Sequence, residues 1–346
     1  MSTSALPSKP DFVDAPPAPV AIWQPALLVG AFVAAAWLLA ANAPIGFSIV
    51  AVFLFAGPHN WMEARYMLRR MPARWGPLTG YFCLGIGGTI ALTVWQSLFP
   101  WLGRTRGWTT DEWLMQIAFW NTALVVWIIA LALLRSAQNP RRDWWWLIPV
   151  GFVLVAANWM WPLAWSVALV YIHPLVALWF LDRELARAKS PWLGGYRISL
   201  ATLPLLLGLL WWRLAGTPNL PGEDQLTIQI TQHAGDGILS GISTHLLVAT
   251  HAFLEMLHYG VWLLAVPLIA GMASPWRIDS QLSQTPLAHR GWLWRCGVAG
   301  VLALGLLVVI VLWAGFAADY PLTRNIYFTV AMLHVLAEVP FLLRAL

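Results

Sequence analysis

The chain has 346 residues, of which 60% are hydrophobic and only 10% charged, with a formal net charge of +5. An ordinary soluble domain carries about 25% charged residues, and a soluble fold of this length does not hide so much apolar surface. The basic balance does not indicate nucleic acid, because the arginines lie in short segments between apolar runs, where membrane orientation rules place them.

Residues 1–20, with Asp11, Asp14 and a Pro/Ala-rich stretch, lack a basic leading region and read as a short disordered tail rather than a signal peptide. Residues 21–346 read as a single transmembrane domain, an all-α polytopic helix bundle. Its apolar runs reach the length of about 20 residues that crosses a bilayer core. They fall at 21–41, 44–68, 77–100, 112–134, 143–160, 162–181, 197–214, 240–272, 292–316 and 322–345, which makes about ten spans. The fifth and sixth are joined tightly at Pro162, and the eighth is long. Ten spans with the N-terminus inside put Arg65, Arg69, Arg70, Arg74, Arg135, Arg141, Arg142, Arg183, Arg187, Arg277, Arg290, Arg295 and Arg344 on the cytoplasmic side. The other side receives Arg104, Arg106, Arg213, Arg324 and the one long loop, 215–239, with Glu223 and Asp236. This asymmetry predicts an N-in, C-in protein of a bacterial-type inner membrane. Trp23, Trp75, Trp101, Trp144, Trp145, Trp146, Trp276 and Trp292 lie near span ends, where amphipathic rings anchor at the interface. Cys83 and Cys296 are isolated and form neither a disulfide framework nor a metal-binding pair.

Ionisable groups inside a membrane are expensive to bury and mark function. Along the chain these are His59 and Glu63 in the second span, His173 in the sixth, His251, Glu255 and His258 in the eighth, and His334 and Glu338 in the tenth. A His-x-x-x-Glu spacing recurs three times, at His59–Glu63, His251–Glu255 and His334–Glu338. On a helix these positions share a face one turn apart. His251, Glu255 and His258 fall on one stripe, whereas His245 points away from it. The ligand-bearing spans run in the same direction and carry their histidines at similar depth, so the side chains can converge. Five histidines and three glutamates suit iron, zinc or manganese. They would hold two ions, or one ion with the carboxylates accepting from the ring N–H groups. Iron is favoured because a lipid-embedded His/Glu site suits oxygen chemistry on apolar substrates. A lone span histidine is otherwise a helix–helix hydrogen bonder, which is the competing reading for His173, and Asn60, Asn121 and Asn158 are expected in that role. Tyr66, Tyr171 and Tyr259 flank the candidates. Trp61 adjoins them as a possible channel wall, and His233 and His289 fall in loops with no special role.

The only lysines, Lys9 and Lys189, lie outside the spans, which excludes a retinal Schiff base. No Walker A loop, dinucleotide fingerprint or C-x-x-C-H haem attachment is present, and the H-x-x-H-H boxes of membrane desaturases are absent. The segment Gly57-Pro58-His59-Asn60-Trp61-Met62-Glu63 resembles the Pro-His-Gly-Ala-x-Asp motif of the Brp/Blh carotenoid dioxygenases, polytopic membrane iron enzymes. Pro58, His59 and the acid at Glu63 match; Asn60-Trp61 replace Gly-Ala, and Glu replaces Asp. The stretch His251 to Tyr259 is loosely similar to that family's late His/aromatic helix, without its closing His-Ser-x-Arg-His pattern. The resemblance implies a multi-helix oxygenase with His59, His251 and His258 as iron ligands and His334 as a further candidate. The function expected is a non-haem iron oxygenase or related oxidoreductase acting on a lipophilic small molecule taken from the bilayer. The alternatives are a proton- or ion-coupled transporter using the His/Glu cluster as a relay, and a membrane cytochrome.

Overall fold

Over the described residues each of the ten apolar runs is mainly helical in the computed structural model, which describes residues 23–138, 143–222, 224–269 and 278–345. The expected tail and Arg141, Arg142, Glu223, Trp276 and Arg277 lie outside the described residues. In chain order the helices are α1 (Trp23–Asn42), α2 (Pro44–Arg70), α3 (Thr79–Arg106), α4 (Thr110–Gln138), α5 (Leu147–Met160), α6 (Pro162–Arg187) and α7 (Leu193–Leu214). A short α8 (Gln225–His233) precedes α9 (Thr244–Gly260), which runs through a π turn (Val261–Ala265) into α10 (Val266–Ile269). The chain ends with α11 (Ile278–Gln284), α12 (Trp292–Ala318) and α13 (Tyr320–Ala345), and no strand occurs among the described residues. Eight segments are long and apolar enough to cross a membrane: α2, α3 with its leading turn, α4, α6, α7, α9 through α10, α12 and α13. The apolar stretches Leu27–Asn42 in α1 and Leu147–Met160 are shorter. The chain is thus an all-α membrane protein.

Local chemistry sets the breaks. Pro44 and Pro162 stand in the first turns of α2 and α6, where the missing N–H costs nothing. This makes the fifth and sixth apolar runs two helices. Asp224 caps α8 by accepting from the Thr227 N–H at 2.8 Å, and Ser243 caps α9 by accepting from the His245 N–H at 3.2 Å. Pro58, Pro174 and Pro340 sit inside α2, α6 and α13. Each removes an intrahelical hydrogen bond, which a membrane bundle tolerates where neighbours compensate. Beside the last of them the Tyr81 hydroxyl of α3 donates to the Pro340 carbonyl at 2.5 Å, tying α3 to α13.

The helices alternate in direction. At one end Arg70 of α2 pairs with Glu184 of α6, Arg344 of α13 donates to the Arg70 carbonyl, and Gln138 of α4 donates to the Pro77 carbonyl. At the other end Arg213 of α7 donates to Asn42 of α1, and Tyr320 at the start of α13 donates to the Ile49 carbonyl of α2. Helices α2, α4, α6 and α13 therefore finish on one face. The centre is α2 packed on α9, with α1, α6, α7, α12 and α13 around them, and α3, α4 and α5 beyond α13 and α6. Gly57 permits a close backbone approach between α2 and α12: a Cβ there would lie 3.2 Å from the Val309 Cα. Trp101, Trp145, Trp146 and Trp292 are exposed near helix ends, as interface anchors require. Trp61 instead lies buried against Gly305 of α12.

Polar glue joins α4 to α5. Asn121 Nδ2 donates to Asn158 Oδ1 at 2.8 Å, and Asn158 Nδ2 donates to the Ala118 carbonyl at 2.8 Å. Asn158→Leu is expected to destabilise the bundle by about 0.5–2 kcal/mol, read as a lower unfolding midpoint in detergent. An unchanged midpoint would show that the pair contributes nothing.

Candidate metal centre

The centre is assembled from four helices. Helix α2 supplies His59 and Glu63, α6 supplies His173, α9 supplies His258, and α13 supplies His334 and Glu338. One ligand group comprises His59, Glu63, His258 and His334, and a second comprises His173, His258 and Glu338. Within each group the donor atoms lie within 4.8 Å of one another, a little beyond the maximum of about 4.4 Å between two donors that bind one ion at roughly 2.0–2.2 Å, so small side-chain movements would close them on an ion. His258 belongs to both. Its ring centroid is 5.2 Å from His59 and 4.5 Å from His173, and His334 stands 5.2 Å from His59 and 5.5 Å from His173. His173 Nδ1 lies 3.6 Å from Glu338 Oε2, which joins α6 to α13 although α6 carries no glutamate beside its own histidine.

These side chains are tested for metal by what they leave unsatisfied. Both ring nitrogens of His258, Nδ1 of His334, Oε2 of Glu63 and Oε1 of Glu338 are buried with no hydrogen-bond partner in the protein. Each such atom costs roughly 1–3 kcal/mol if it stays unmatched. Glu63 and Glu338 are also close enough to repel each other when ionised. A cation among them answers both problems, and imidazole with carboxylate is a donor set that iron, zinc and manganese accept. His59 is pre-oriented: its Nδ1 lies 3.0 Å from the Phe55 carbonyl. A carbonyl only accepts, so Nδ1 carries the proton and Nε2 offers its lone pair. Tyr259 packs on the His59 ring with centroids 4.5 Å apart.

The helices bring the side chains to ordered levels. At about 1.5 Å per residue, His59, His173 and His334 lie roughly 15–21 Å along their helices from Arg70, Arg187 and Arg344, which is about half the thickness of a bilayer core. Glu63 and Glu338 lie one turn nearer the arginines. Beyond them come Tyr66, Phe180 and Phe341, and then Arg70, Glu184, Arg187 and Arg344. The π turn begins two residues beyond Tyr259, and such widened turns recur at functional sites in helices.

Of the eight residues singled out from the sequence, six meet here. His251 and Glu255 do not join them. The stripe on α9 gives His251 the same heading as His258, but seven residues separate them, about 10 Å along the axis. A single ion cannot span that distance. His251 instead faces His233 of α8, with ring centroids 5.0 Å apart, and Tyr171 of α6 at 5.9 Å. Glu255 accepts from the Tyr259 hydroxyl at 2.7 Å and lies 3.7 Å from His251 Nδ1. His233, expected to be a bystander in a loop, is folded inward by α8. Burial, with His251 and Arg324 nearby, holds its imidazole well below the ordinary value. The Asp224-x-x-Thr227 cap is the sequence signal that could have located this helix. Glu184 is a further polar residue of the site that the apolar runs do not mark. It lies beyond the apolar run yet is buried, bonded to Tyr66, Arg70 and Arg187. The regular spacing of Glu184 and Arg187 was the available clue.

Compared with family models, with curated proteins and with solved structures, the chain matches none.

Proposed function

We propose that this chain is an integral membrane metalloenzyme, a non-haem iron oxygenase or related oxidoreductase that acts on a lipophilic small molecule reached through the bilayer. The observation that supports it is the convergence of four imidazoles and two carboxylates from four helices, with five of their donor atoms unmatched by protein. One or two ions fit the two ligand groups, with His59, His173, His258 and His334 as nitrogen donors and Glu63 and Glu338 as oxygen donors. Iron bound there supplies the capacity to bind and reduce dioxygen. The chain's own part is to fix the donors, through the bond from His59 to Phe55, and to surround the reaction with apolar helices that exclude water.

The resemblance at Gly57–Glu63 to the carotenoid dioxygenases belongs to this proposal as far as the iron and the apolar substrate. The bulk of Asn60 and Trp61 argues for a differently shaped substrate. A haem is disfavoured by crowding, since histidine rings from other helices stand within 5.5 Å of one another where a macrocycle would lie. The proposed topology is ten spans, with both termini inside and the C-terminal ends of α2, α6 and α13 cytoplasmic. This orientation accords with the arginines gathered there and assigns the protein to a bacterial-type inner membrane.

Elemental analysis of the purified protein, with an absorption spectrum on the same sample, tests the reading. About one or two irons per chain without a Soret band is the expected result. Protein that carries no metal after gentle purification, and takes up none on reconstitution, would overturn it in favour of a proton relay. Zinc or manganese in place of iron would retain the site and remove the oxygenase assignment.

A further inference from the structure

A cavity of about 250 Å³ opens where α2, α6 and α13 finish together, lined by Arg70, Arg187, Arg344, Glu184 and an aromatic wall of Tyr66, Phe180 and Phe341. A second, narrower cavity shares that wall and reaches Glu338 and Trp262, so the opening leads toward the His/Glu cluster. Three guanidinium groups face one carboxylate. Glu184 is already engaged, with Oε1 on Arg187 and Oε2 on Arg70 and Tyr66. Arg344 has no carboxylate partner among the described residues. Its Nη1 donates to the Arg70 carbonyl at 3.2 Å, and its guanidinium lies over the Phe82 ring at 5.4 Å. Each guanidinium carries five N–H donors in a fixed fork suited to planar or tetrahedral oxyanions, and the bonds to Glu184 and to the Arg70 carbonyl engage one nitrogen of each. The negative ends of three helix dipoles point into the same space, but each amounts to about half a charge and fades within the last turn. The balance in the cavity is positive.

We propose that this cavity is an oxyanion site that takes a carboxylate or phosphate group between Arg187 and Arg344, with Arg70 held in place by Glu184. The aromatic wall behind the arginines accepts an apolar continuation of the same ligand, so the group belongs either to an amphiphile or to a free small anion. Three arginines from three helices line one cavity around a buried carboxylate, a convergence that orientation signals alone do not require. The site does not depend on metal being bound.

Isothermal titration of the full-length protein in a non-ionic detergent tests it with three probes: inorganic phosphate, dodecanoate and uncharged dodecanol. Saturable binding of at least one anion, with dodecanol binding at least about tenfold more weakly, is expected, since the alcohol lacks the charge-assisted bonds. Arg344→Gln should weaken anion binding by roughly tenfold. Arg344→Lys, which keeps the charge but not the fork, should fall between. Phosphate binding alone assigns a free anion, and dodecanoate binding alone assigns the head of an amphiphile. Measurable and equal binding of dodecanoate and dodecanol without phosphate binding, binding of neither anion, or unchanged anion affinity in folded Arg344→Gln would overturn the site. The metal content of Arg344→Gln should equal that of the parent, which separates failure here from failure of the metal reading.

Discussion

Replacing His258 with alanine is expected to strip most of the bound metal while leaving folded protein in detergent. His258 is the only residue common to both ligand groups, and both of its nitrogens lack a protein partner. Removing it leaves three donors in the first group and two in the second. Loss of even an outer hydrogen-bond partner of a metal ligand costs roughly 10–100-fold in affinity, so loss of this ligand should exceed about 100-fold. The fold should persist, because no hydrogen bond of the scaffold runs through the ring. His251→Ala and His245→Ala, which alter the same helix outside both groups, should keep the parent's metal content. Full metal occupancy in His258→Ala would remove it from the ligand set. Loss of metal in His251→Ala would mean that the two buried clusters are one unit.

Chelation should have the second largest effect. Withdrawing the ion leaves two carboxylates and four imidazoles facing one another in a dry interior. An ion present at about a thousand times its dissociation constant stabilises the folded state by about 4 kcal/mol. For a chain of this size that corresponds to a drop of about 5 °C in unfolding midpoint. Re-adding iron should restore the midpoint, and the His258→Ala variant should show no response to chelator. Equal midpoints with and without chelator, in protein shown by analysis to have lost its metal, would mean that the carboxylates are already neutralised without a cation.

Several of these features are legible in the sequence, and the reasons for the omissions are geometric. The lengths of the apolar runs and the two prolines that open α2 and α6 define the helices, because crossing a bilayer leaves the backbone no other way to satisfy its hydrogen bonds than a helix or a closed barrel. The His-x-x-x-Glu spacing also translates directly for His59–Glu63 and His334–Glu338, since one turn is a local property. His251 shows where such reasoning stops: angle around an axis is readable from spacing, but which axial level meets the neighbouring helices depends on how far each helix slides. His173 shows the converse. Nothing in its own helix marks it as more than a hydrogen bonder, and its carboxylate neighbour, Glu338, arrives from a segment far along the chain. His233 and Glu184 lie outside apolar runs, where hydropathy places a residue in water although a folded-back helix or an arginine pair can bury it.

The depth of the histidine layer has an electrical consequence. Its distance from the arginines corresponds to about half the hydrocarbon thickness, so a unit charge carried between that face and the cluster crosses about half of the membrane's field. A full crossing is worth about 2.3 kcal/mol per 100 mV, and the half crossing about 1 kcal/mol. A proton or electron delivered to this cluster is therefore driven or opposed by the voltage across the bilayer, according to the face from which it comes. In an energised membrane the same chemistry would run at a different rate than in detergent, with no change in any side chain.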